Sequence, residues 1–133
     1  MADFQPMKDL ELKPMEELHP SDTLKIIINM QTNLIKKYYT PNLDQMTPKE
    51  MNDLAMKVTI ALEDEISELR GQLNWKWWKK PHEIDEKELK FEIIDIFFFT
   101  LTLMIIWKMS PEEIESYYVA KYRENVRRQE NGY

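Results

Sequence analysis

The sequence predicts an all-α protein, a four-to-five-helix antiparallel bundle, on three observations. Only two glycines occur in 133 residues, which leaves little material for phosphate-cradling loops, tight hairpins or a β-sandwich. Apolar residues recur at intervals of three and four along four long segments. The breaks between segments are marked by proline, and two of them carry helix-start signatures. With 43% hydrophobic and 32% charged residues, the composition is that of an ordinary globular domain, and the length suits one core.

Residues 1–20 contain Pro6, Pro14 and Pro20 and no sustained period, so they read as an extended leader to a domain over 21–133. The stretch is mixed in charge and has no apolar run of the kind a secretory signal needs. Ser21 precedes the first helix, about 22–39, where Leu24, Ile27, Ile28, Gln31, Leu34, Ile35 and Tyr38 share one stripe. "TPNLDQM" breaks it. Thr47-Pro48-Lys49-Glu50 is a capping box with proline at the first helical position, and it opens helix two, which runs to about Leu73. "KKPHEIDE" at 79–86 interrupts the chain before helix three, about 86–108. Ser110-Pro111-Glu112-Glu113 repeats the start signature for helix four, which ends at about Arg127. Short connections favour antiparallel neighbours.

A net charge of −6 disfavours nucleic acid as the partner. The absence of cysteine excludes disulfides and thiolate zinc sites and suits the cytoplasm. The most apolar stretch, Ile93 to Trp107, is shorter than the roughly 20 residues needed to span a bilayer and contains Asp95, so no membrane partner is expected. A helix apolar on nearly every side, in a chain this small, needs cover from its own core and from a second subunit. A homodimer is expected.

Four acids stand where hydrocarbon should be. Helix two buries a stripe through Met51, Leu54, Ala55, Val58, Ala61, Leu62, Leu69 and Leu73, and Glu65 falls on it with Glu68 beside it. On helix three the step Leu89, Glu92, Ile96, Phe99, Leu103 puts Glu92 on the stripe, and Asp95 adjoins it with Phe91 and Phe98. Glu63 and Asp64 are free to face solvent. Side chains three apart on a helix lie about 5–6 Å apart at Cβ, so two facing pairs would converge into one carboxylate cluster. Uncompensated, such a cluster costs several kcal/mol per ion or stays protonated. Oxygen-only ligands suit Mg²⁺, or Mn²⁺ in its place. A di-iron bundle needs Glu-x-x-His, and neither His19 nor His82 fits that spacing. Read from spacing alone, the pairs are equally open to a solvated helix face.

Glu-x-x-Glu on one helix and Glu-x-x-Asp on the next resemble the all-α nucleoside triphosphate pyrophosphatases, the superfamily of dimeric dUTPases and MazG proteins. "NWKWWKK" is similar to the Trp- and Lys-containing loop of dimeric dUTPases, and "YYVAKYRENVRRQENGY" to the family's C-terminal Lys, Asn, Arg-Gln and Gly-Tyr pattern. The run from Lys90 to Tyr133 resembles especially the dCTP/dUTP pyrophosphatases of T-even phages. The resemblance covers roughly residues 24–133.

It implies a MazG-like or dimeric dUTPase-like fold and Mg²⁺-dependent hydrolysis of dUTP, dCTP or both to the monophosphate and pyrophosphate. It implies metal ligation and catalysis by Glu65, Glu68, Glu92 and Asp95, with Glu68 as the base. Phosphate contacts would come from Lys121, Asn125 and Arg128, and a closing segment from Gln129 and Tyr133. Nucleoside contacts would come from Gln31 and from Asn74, Trp75, Lys76 and Trp78. Two departures stand out: Phe98 occupies the position of a frequent family His, and Tyr122 that of a second Asn. Phe98 adds an aromatic near the sugar or base and bears on substrate preference more than on reaction type. Two rivals predict different behaviour. A broad-specificity MazG-like hydrolase would turn over purines comparably, and a non-catalytic helical dimer that binds a partner protein would turn over none.

Overall fold

The computed structural model describes residues 22–132. The expected leader over 1–20, the Ser21 start signal and Tyr133 lie outside the described residues. Within them the chain forms four α-helices and, as expected, no strand: α1 (Thr23–Tyr38), α2 (Pro48–Gln72), α3 (Glu86–Ile106) and α4 (Pro111–Glu130), with one 3-10 turn at Leu43–Gln45.

Local chemistry sets most of the boundaries. Thr47 accepts from the Glu50 amide at 3.2 Å, and the Glu50 carboxylate accepts from the Thr47 amide at 3.3 Å. That reciprocal box, with Pro48 behind it, starts α2. Asp85 accepts from the Glu88 amide at 3.1 Å to start α3, and Ser110 accepts from the Glu113 amide at 3.1 Å to start α4. α3 ends at Ile106, two residues short of the expected limit, because Lys108 takes a left-handed φ of 58°. α4 runs on to Glu130, past the expected Arg127. Nothing in 128–130 breaks a helix, and Gly132, at φ 79°, lies just beyond its end.

The main core lies where α1 meets α3. Ile28 and Ile35 of α1 and Leu101 and Ile105 of α3 are buried together with Leu43 and Met46 of the α1–α2 connection. Met51 and Leu54 of α2 and Ile114 of α4 pack against its rim. Leu101 and Ile106 are 1% exposed, each burial being worth about 1.5–3 kcal/mol. α3 is the hub: it packs along α2 and against α1, whereas α4 touches α1 and buries no residue completely. The outer side of α3 leaves Ile93, Ile94 and Phe97 substantially exposed. No helix among the described residues is long and apolar enough to cross a membrane.

Candidate functional site

The C-terminal half of α2 lies against the N-terminal half of α3, so the acids of the two helices meet. One carboxylate oxygen each from Glu65, Glu68 and Glu92 lies within 4.8 Å of the others. Glu92 is only 5% exposed, Glu65 is half-buried and Glu68 faces solvent. This is the distribution expected from the helical stripe, as is the exposure of Glu63 and Asp64. Two oxygens, Glu65 Oε2 and Glu92 Oε2, are buried with no hydrogen-bond partner. Buried polar atoms are rarely left so, and these two ask for a cation or a proton.

The electrostatics say the same. Burial first, then the charges of Glu68, Asp95 and Glu92, push the Glu65 carboxyl up to about 7. Glu92 is raised by burial and by Glu68, Asp95 and Glu88. Asp95 is raised by burial and by Glu68 and Glu88. Glu68 contributes to the rise at both Glu65 and Glu92, since a protonated acid can donate to a neighbouring carboxylate where two charged ones only repel. An oxygen-only donor set of this kind fits a hard divalent cation. A bound cation would satisfy the orphaned oxygens without protonation.

Beside the cluster opens a cavity of about 370 Å³. Glu65 and Asp95 form its acidic end, Val58, Phe98 and Phe99 its apolar walls, and Gln31 and Thr102 contribute polar groups. Gln31 is buried in α1 and donates from Nε2 to Thr102 Oγ1 at 3.1 Å.

The other expected site residues lie elsewhere. Asn74 donates to the His82 carbonyl at 3.0 Å and accepts from the His82 amide at 2.8 Å, so its side chain closes the α2–α3 loop. Within that loop Trp78 meets Trp75 and Trp77 edge-on at 5.8 and 4.8 Å, and Lys76 Nζ lies 5.3 Å from the Trp75 ring centre. The three tryptophans are exposed, and none of these loop residues lines the cavity. Nor do Lys121, Asn125, Arg128 and Gln129 of α4. Arg127 and Arg128 both bond Glu124, at 2.7–3.0 Å. In the other direction, sequence reasoning missed Glu88, which acts on Glu92 and Asp95, and Thr102. Both were within reach of the helical step, since 88, 92, 95, 99 and 102 share one face of α3.

With this geometry in view, the sequence model of the dUTPase family matches residues 23–111. The chain belongs to the dUTPase family. The match takes in α1, α2 and α3, and so the carboxylate cluster and the cavity, but it stops at the first residue of α4. Two curated relatives are dCTP pyrophosphatases, from Enterobacteria phage T4 and Enterobacteria phage LZ5, each 39% identical over 71 residues and covering 44% of this chain. The chain spans about 42% and 41% of the length of these two curated relatives. No solved structure gives a significant match.

Proposed function

We propose that the protein is a divalent-metal-dependent pyrophosphohydrolase of a pyrimidine deoxynucleoside triphosphate, dUTP or dCTP, yielding the monophosphate and pyrophosphate. The observation that carries this reading is the pair of buried, unpartnered carboxylate oxygens of Glu65 and Glu92, with Glu65 lining the adjoining cavity. Membership of the dUTPase family and the names of the phage relatives support it.

Glu65, Glu68, Glu92 and Asp95 would hold Mg²⁺ or Mn²⁺, the oxygens of the first three being already gathered across two helices. When bound, the cation supplies countercharge to the triphosphate and acidity to a water ligand. The chain does the rest. The cavity takes the nucleoside between Val58 and the rings of Phe98 and Phe99, with Gln31 at the base edge. Glu68, the solvent-facing acid of the cluster, accepts the proton of the attacking water at its carboxylate. Water adds to phosphorus, the bond to the bridging oxygen breaks, and pyrophosphate leaves. Lys121, Asn125 and Arg128 are the proposed phosphate contacts. None lines the cavity in this conformation, so either α4 comes over the bound nucleotide or a second copy supplies them. A homodimer would also cover Ile93, Ile94 and Phe97 on the outer side of α3.

The test is incubation with each deoxy- and ribonucleoside triphosphate, with and without Mg²⁺, following pyrophosphate and monophosphate. Mg²⁺-dependent turnover of dUTP or dCTP, lost in Glu92→Gln, is the expected result. Comparable turnover of purines would point to a broad-specificity hydrolase. No turnover would leave a helical binding protein.

A further inference from the structure

We infer that Thr102 is a specificity-determining residue, because its hydroxyl locks the Gln31 side-chain amide in the one orientation that presents Oε1 to the cavity. The argument is one of proton direction. Thr102 Oγ1 lies 2.8 Å from the Phe98 carbonyl. A carbonyl only accepts, so in this bond the hydroxyl is the donor. What Thr102 has left to offer is a lone pair. The Gln31 group 3.1 Å from it must therefore be the donor, Nε2. An amide flipped by 180° would set oxygen against oxygen unless the hydroxyl gave up its bond to the Phe98 carbonyl, a cost felt at a residue only 7% exposed. No other described group hydrogen-bonds Gln31, so the whole orientation hangs on this one contact.

The inference rests on the pyrimidine-nucleotide reading and deepens it. A cavity that presents a fixed acceptor selects a base edge that donates. Cytosine offers its amino N–H and uracil its ring N3–H, and either can reach an amide oxygen. A pyrimidine with neither donor, such as 2-pyrimidinone, finds an acceptor facing its own acceptors. Such mismatches are the ones proteins discriminate best, because a buried polar group is left without a partner. The lock also explains how an amide that could otherwise rotate can read an edge at all. Its anchor, the Phe98 carbonyl, belongs to the residue whose ring walls the same cavity, so base packing and amide orientation share one support.

The test compares wild type, Thr102→Val and Thr102→Ser. Valine keeps the shape and removes the hydroxyl, whereas serine keeps the hydroxyl. For each protein, kcat and KM are measured with dUTP, dCTP and the triphosphate of 2-pyrimidinone deoxyriboside. Thr102→Val is expected to raise KM for dUTP and dCTP while kcat changes little, and to shrink discrimination against the donor-less analogue by about tenfold or more. Thr102→Ser should restore both. A Thr102→Val protein that folds and keeps wild-type discrimination overturns the inference, as does failure of serine to rescue it. The Gln31 side-chain amide protons give a second readout that needs no substrate, by NMR hydrogen exchange. Slow exchange in wild type and Thr102→Ser and fast exchange in Thr102→Val support the lock; equal rates overturn it. If wild type hydrolyses none of the nucleotides, the functional reading fails, and the exchange rates still decide the lock.

Discussion

Glutamate occurs in two opposite settings in this molecule. On α4, Glu124 bonds both Arg127 and Arg128, and the bond to Arg127, then that to Arg128, hold its carboxyl below the usual range against the opposing push of burial. On the α2–α3 pair, Glu65 and Glu92 face other acids, are raised, and keep an oxygen with no partner. The first arrangement stabilises the fold slightly. The second costs stability for as long as it stays charged and unfilled. A fold keeps a costly cluster on rigid, well-packed helices when something else repays it. Its position beside a cavity, inside the part of the chain that matches the dUTPase family, fits the proposed hydrolysis.

The contrast is broken most directly by removing one acid. Glu92→Gln should cut pyrophosphohydrolase activity by on the order of a hundredfold or more, through lost cation affinity. The same change should raise the melting temperature of the metal-free protein by a few degrees, because it deletes a charge held among like charges. Activity assays beside thermal melts in a chelator read both effects. An inactive but less stable variant would mean that Glu92 is a structural residue and the cluster is not poised for a cation.

Metal and pH sharpen the same point. At pH 8, Mg²⁺ at a hundred times its dissociation constant should stabilise the protein by about 2.7 kcal/mol. That gain should shrink as pH falls through about 7, where Glu65 takes up a proton instead. Without metal the sign reverses. Glu65 has a folded value near 7, above its unfolded 4.5, so its stabilising effect is complete below about 4.5 and is lost as pH rises through 7. With solvent screening allowed for, the loss is roughly 1–3 kcal/mol. The lowered acids Glu50, Asp53 and Glu124 act in a separate window, destabilising only as pH falls below their ordinary values. Melts in chelator between pH 4.5 and 8 therefore report the cluster, and a flat profile there would show that its acids are not strained.

What was legible in the sequence follows the range of the interactions. Caps are written in four consecutive residues, so Thr47 and Ser110 placed the starts of α2 and α4 to the residue. The acids were legible because helical periodicity fixes a face, and Glu65 and Glu92 interrupt an apolar one. Positions set by tertiary contact were not. The Gln31–Thr102 bond joins residues 71 apart, and no local pattern marks it. Asn74, implied by resemblance to touch the nucleoside, uses its amide on the His82 backbone, a loop closure that spacing does not reveal. The α4 residues carry the opposite lesson. Their motif is clear as sequence, yet the described conformation leaves Lys121, Asn125 and Arg128 away from the cavity, because motif resemblance names partners and says nothing of when they meet.

The smallest effects belong to α4, and they test whether it is as loosely held as its packing says. Ser110→Ala removes the side-chain oxygen that accepts from the Glu113 amide and should cost the helix about 1 kcal/mol. Since α4 has no fully buried residue and packs on α1 alone among its stronger contacts, that loss should appear first as faster amide exchange along α4, with little change in the global melt. Glu124→Gln should do less again, shifting the melting temperature by no more than about one degree, because the ion pairs it removes are local to one helix and open to solvent. A shift as large as that of Glu92→Gln would mean that α4 is bound into the fold more firmly than its contacts with α1 account for. The extra contacts would then have to come from a second copy of the chain.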